Sequence, residues 1–246
     1  MKEARWTWIH RGLWALAAAL VWTGLRPTVS HGAPPPATAT HIVIDVAARR
    51  LTLYRGAAPI ATWPVAVGKP NTPSPRGEFV ITQKAIWGDG FGTRWMRISV
   101  PWGIYGIHGT NKPWTVGTVA SHGCFRMYNR DVEALYDQVQ IGTPVTVVGP
   151  TPYATIRRTL TPGRLGQDVV ELERLLRQAG VYPGPLEGLY TDAVTEAVRR
   201  FQAMTGLSPT GIADAATVER LKAFTAAPQA ATRPEKRFGG RPHPPG

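Results

Sequence analysis

The sequence predicts a mainly β domain, a sandwich or barrel-like fold with one short helix, followed by a small all-α module of three helices. Three observations carry this expectation. Short alternating apolar and polar runs, separated by Gly/Pro turns, recur between residues 41 and 149. From residue 163 to 224 the period changes to that of amphipathic helices. Between them, 150–162 contains Pro150, Pro152 and Pro162 and reads as a hinge.

The elements follow in order. HIVIDV (41–46) and RLTLYR (50–55) alternate and are joined by Ala-Ala-Arg, the pattern of a hairpin. PIATWPVAV (59–67) is a strand interrupted by Pro64. After the turn-rich KPNTPSPR come GEFVITQ (77–83), WMRISV (95–100), GIYGIH (103–108) and VTVVG (145–149). DVEALYDQVQ (131–140) is the one helix of this region, with Asn129 or Asp131 as its cap and Gly142 as its stop. In the second region, 167–180 places Val169, Leu172, Leu176 and Ala179 on one stripe and stops at Gly180. Residues 191–206 are capped by Thr191, with Val194, Val198 and Phe201 inward. Residues 213–224 are capped by Asp214, with Val218 and Leu221 inward.

The ends read differently. Residues 1–33 combine Lys2, Arg5 and Arg11 with the apolar run LWALAAALVWTGL, the pattern of a signal peptide or N-terminal anchor. Residues 34–40 form a Pro/Ala/Thr linker, and 225–246 a disordered basic tail. The chain is therefore expected to be exported, with membrane contact only through its N-terminal segment. Its 28 basic and 16 acidic residues give a net charge of +12, which favours an anionic polymer as partner. Nucleic acid is a poor candidate outside the cell and no nucleic-acid motif is present, whereas cell-wall polymer fits. A generic solubilising surface also fits that charge.

Cys124 is the only cysteine among the 246 residues, within SHGCFRM. A lone cysteine in an exported chain is an intermolecular link, a reactive thiol or a small buried hydrophobe. A reactive thiol needs a base or a positive neighbourhood. His122 is two residues away. His108, at the end of an apolar strand, comes within reach if the intervening loop returns to SHGC. Gly123 permits unusual backbone angles, and the N–H groups of Gly123 and Cys124 are natural oxyanion donors. Zinc held by His108, His122 and Cys124 is an alternative, although the spacing matches no common zinc motif.

GIHGTNKPWTVGTVASHGCFRM, with IDVAARRLTLYRG, PVAVGKPNTPSPRGEF and NRDVEALYDQVQIGTPV, resembles the L,D-transpeptidase catalytic domain of the YkuD family over 41–149. The resemblance implies Cys124 as nucleophile and His108 as general base and then acid. It implies that the Gly109 carbonyl orients the His108 ring and that His122, Arg126 and Ser121 shape the pocket and bind substrate, without metal or cofactor. Arg126 stands where the generalised family pattern has Asn. Residues 163–224 are similar to the peptidoglycan-binding type-1 domain, through a Leu-rich helix, G-x-Y and AV-x-x-FQ. Together they imply a wall enzyme in the cell wall or periplasm, crosslinking peptidoglycan from a stem-tetrapeptide donor to a stem amine, with carbapenem β-lactams as inhibitors. A hydrolytic L,D-carboxypeptidase or endopeptidase, and a non-enzymatic wall-binding protein, are the alternatives.

Overall fold

The computed structural model describes residues 39–226. The expected signal or anchor, most of the linker and nearly all of the basic tail lie outside the described residues. Ten strands and four helices occur among the described residues. The strands are β1 (Thr40–Asp45), β2 (Arg50–Arg55), β3 (Ala58–Pro64), β4 (Val67–Gly68), β5 (Gly77–Ala85), β6 (Trp95–Ile98), β7 (Tyr105–His108), β8 (Val119–Ser121), β9 (Phe125–Arg126) and β10 (Pro144–Val148). The helices are α1 (Asn129–Gln138), α2 (Gln167–Gln178), α3 (Asp192–Met204) and α4 (Ala215–Ala226).

Eight strands form one sheet in the order β3-β2-β1-β10-β5-β6-β7-β9, and β4 pairs with β8 in a second, two-stranded sheet. β1 with β10 and β7 with β9 are parallel; the other ladders of the large sheet are antiparallel. The period-2 pattern explains the burial. Ile42 and Ile44 of β1, Leu51 and Leu53 of β2, and Val145 and Val147 of β10 all face one core. α1 closes that core with Val132 and Leu135. The cap expectation for α1 fails: Tyr128 is the N-cap residue and no side chain caps it. Asn129 is the first helical residue, one past the cap position, and its carboxamide accepts a bond from Thr110, 19 residues away.

The helical module has its own core, built on Leu172, Leu176, Val194, Val198, Phe201, Val218 and Leu221. Thr191 accepts the Val194 N–H, and Asp214 accepts that of Thr217 at 2.8 Å, two caps of about 1 kcal/mol each. The stretch expected as a hinge contacts the rest of the chain through Arg76. Arg76 donates to the carbonyls of Pro150 and Tyr153, and its main chain exchanges two hydrogen bonds with the Gln167 carboxamide. Arg177 of α2 grips Glu78 of β5 with two bonds of 2.6 and 2.7 Å, and Glu78 N–H donates to the Leu186 carbonyl.

Glu173 of α2 has a side effect on stability. It is fully buried, its Oε2 accepts the Gly188 N–H at 2.9 Å, and its Oε1 has no partner. Burial pushes its pKa up from 4.5 to about 8. The folded state therefore favours the neutral acid. Stability is full below about 4.5 and is lost as pH rises toward about 8. Glu173→Gln keeps the shape and removes the titration. In melting experiments it should gain on the wild type as pH rises from 4 to 8, reaching roughly 3 °C or more. A difference independent of pH would contradict a buried neutral carboxyl.

Candidate active site

Gly123 creates the turn that presents Cys124. Its φ is +115°, and a Cβ there would lie 2.6 Å from the Tyr105 ring, so both backbone and space require glycine. Ser121 staples the same turn: its buried hydroxyl donates to the Cys124 carbonyl at 2.6 Å and accepts the Gly123 N–H at 3.0 Å. This alters two expectations. Ser121, expected to bind substrate or to be structural, is fully buried and its hydroxyl is used within the loop. The Gly123 N–H, expected as an oxyanion donor, is committed to Ser121.

Parallel pairing of β7 with β9 sets Ile107 opposite Phe125 and His108 opposite Arg126. Cys124 immediately precedes β9, in the bend that follows Gly123. Gly106 of β7 approaches Cys124 from the neighbouring strand. The Gly106 N–H donates to the sulfur, favouring the thiolate, while burial acts more strongly and pushes the thiol pKa up. Cys124 remains partly accessible.

His108 is buried, 3% exposed, under Phe91 and Trp95, with ring centroids 5.0 and 5.6 Å away. Its Nδ1 lies 2.5 Å from the Gly109 carbonyl oxygen. A carbonyl only accepts, so Nδ1 carries the proton and the neutral ring keeps its lone pair on Nε2. Burial pulls the His108 pKa down to about 4, helped by the positive charge of Arg126; main-chain bonds to Gly109 and Phe91 oppose this. The resting pair is therefore neutral thiol and neutral imidazole. Arg126 is half-buried, its charge acts on both partners, and none of the ion pairs among the described residues engages it. His122 is exposed on the loop before the thiol. Among the described residues no three His, Cys, Asp or Glu side chains are grouped to hold a metal ion, and no helix is long and apolar enough to cross a membrane.

Comparison with known proteins gives this arrangement a family. The model of the L,D-transpeptidase catalytic domain matches residues 39–147, and that of a peptidoglycan binding domain matches 166–221. L,D-transpeptidase YkuD of Bacillus subtilis is 42% identical over 127 residues, covering 51% of this chain and 76% of its own length. The chain belongs to the YkuD family of L,D-transpeptidases. Its Bacillus licheniformis relative of the same name is 44% identical over 107 residues, covering 43% of this chain and 64% of that protein. The catalytic domain of the Enterococcus faecium L,D-transpeptidase, solved by NMR, is 26% identical, covers 45% of this chain and 98% of that one, and superposes with a TM-score of 0.38.

Within this YkuD domain five contributors escape the sequence reading. Gly106 stands inside an apolar strand, a position that signals close approach. A Cβ there would lie 2.6 Å from Trp95. Phe91 and Trp95, with Trp87 stacked on Trp95 at 4.9 Å, wall the imidazole, and only the fold brings them there. Asn129 is the fifth.

Proposed function

We propose that the chain is a peptidoglycan L,D-transpeptidase acting through a thioester on Cys124. The observation that carries this reading is the His108 ring, held by the Gly109 carbonyl at the end of the strand that pairs with β9, which directly follows the sequence's only thiol. The thiol attacks the carbonyl that precedes the terminal D-alanine of a stem tetrapeptide. Its proton passes to His108 Nε2 as the C–S bond forms. The Cys124 N–H serves the oxyanion, the Gly123 N–H being occupied. Collapse breaks the amide, His108 gives the proton to the departing D-alanine, and a thioester remains. A stem amine then attacks, loses its proton to His108 and frees the thiol, leaving a crosslink.

Arg126, in none of the ion pairs among the described residues, suits an anionic group of the stem, and exposed His122 lines the approach. The helical module, held against β5 by Glu78 and Arg177, supplies a second hold on the wall. Export to the cell wall or periplasm completes the reading. The division into a catalytic domain at 41–149 and a wall-binding domain at 163–224 is part of it. A strained lactam carbonyl is an acyl donor of the same kind, so a carbapenem should acylate the same sulfur.

Incubation of the full chain with a disaccharide-tetrapeptide tests the reaction class. The proposal expects released D-alanine and a crosslinked dimer in comparable amounts. Tripeptide accumulating without dimer would make the chain a carboxypeptidase, with water as acceptor at the same thioester.

A further inference from the structure

We infer that Asn129 is a positioning residue for His108, acting through the Gly109–Thr110 peptide group. The inference deepens the proposed function and rests on His108 being the base. Asn129 is the first residue of α1, one past the Tyr128 cap position. Its Oδ1 accepts the Thr110 N–H at 3.0 Å. That N–H and the Gly109 carbonyl are the two ends of one planar amide. The carbonyl end is the acceptor for His108 Nδ1 at 2.5 Å. Fixing the N–H end therefore fixes the plane in which the carbonyl meets the imidazole.

The same bond acts electronically. An acceptor on the N–H of an amide polarises it and strengthens its oxygen as an acceptor. Asn129 thereby favours the tautomer with hydrogen on Nδ1, the one that leaves Nε2 free to take the thiol proton.

The surroundings are built for this contact. A Cβ on Gly92 or on Gly109 would each lie 2.2 Å from Asn129 Oδ1, so the carboxamide occupies a slot open only because both are glycine. Gly92 follows Phe91, whose ring packs edge-on against His108 at 5.0 Å. Asn129 thus joins three segments around the imidazole: the Phe91–Gly92 turn, the Gly109–Thr110 peptide and the start of α1. It does not touch the sulfur, and its part is played through His108. Other contacts already hold the main chain of this strand end, since Met127 N–H donates to the His108 carbonyl and Gly109 N–H to that of Arg94. Asn129 is left to set the orientation of one peptide.

The test uses the full chain with two substitutions, Asn129→Ala and Asn129→Asp, and two readouts. The first is the rate of Cys124 acylation by a carbapenem across pH. The second is the ring nitrogen NMR signals of His108, which report tautomer and titration without any turnover. Asn129→Ala should acylate roughly 10- to 100-fold more slowly at pH 7, within the range for a misplaced base, and show a mixture of His108 tautomers. Asn129→Asp keeps an acceptor for Thr110 and adds a negative charge. It should recover most of the rate, keep the single tautomer and titrate His108 at higher pH than the wild type. A wild-type rate and tautomer in Asn129→Ala overturns the inference. So do equal losses in both variants with the His108 signals unmoved, the mark of a merely structural residue. If Asn129→Ala does not fold, Asn129→Asp decides alone: an unmoved His108 titration overturns it. A wild type that forms no adduct would instead defeat the proposed function, and the NMR titration would still read the Asn129–His108 coupling.

Discussion

Cys124→Ala should abolish all acyl transfer while the chain still folds. Every bond change proposed above runs through one sulfur, and the sequence holds no second thiol that could substitute. Cys124 is small and partly accessible, and its turn is held by Ser121 and Gly123 rather than by the thiol. Removing the sulfur therefore leaves the local structure in place. Turnover of tetrapeptide should fall to background, a loss greater than about 10⁴-fold, because the first covalent step has no nucleophile. Chromatography of muropeptide products checks it. Dimer formed by the alanine variant would end the assignment of Cys124.

His108→Ala should slow acylation by about 10² to 10⁴-fold near neutral pH, the usual contribution of a positioned base. The pH dependence carries more information than the size. Burial holds the His108 pKa down at about 4 and pushes the Cys124 thiol up. The acid limb of the wild-type profile reports protonation of the base, so the rate should stay level from pH 7 to about 5 and drop only through about 4. The alkaline limb reports loss of the thiol proton, and it should lie above the range of an ordinary cysteine. Without the imidazole the plateau disappears, and the rate should climb with pH as free thiolate accumulates. An acid limb near 6.5 in the wild type would mean that the ring is more hydrated than its packing under Phe91 and Trp95 implies.

The parts of this account that the sequence carries are those written in local pattern. β1, β2, β5, β6 and β10 alternate long enough to be read as strands, and their inward residues are the ones buried. The helical module is legible in its stripes and in Thr191 and Asp214, caps whose partners lie three residues on. β8 and β9, of three and two residues, are too short to show a period. They exist because Ser121 to Arg126 is clamped between β7 and β4 and the bridge from Ala66. The same distinction applies at the site. Cys124 and His108 are marked by residue type and surroundings. The commitment of Ser121 and Gly123 to each other, and of Asn129 to Thr110, depends on atoms that only the folded chain brings together. The prolines of 150–162 are visible in a sequence, while the bonds of Arg76 to the Pro150 and Tyr153 carbonyls are not.

Intact-mass measurement of the full chain, quenched in acid during reaction with a stem tetrapeptide and followed by peptide mapping, tests the central claim most directly. The account predicts one added acyl group per chain, equal to the tetrapeptide less D-alanine and carried on the peptide containing Cys124. That adduct should disappear when an acceptor amine is supplied, as dimer forms. Release of D-alanine at full rate with no adduct under any quench, or an adduct mapped to another residue, would contradict it.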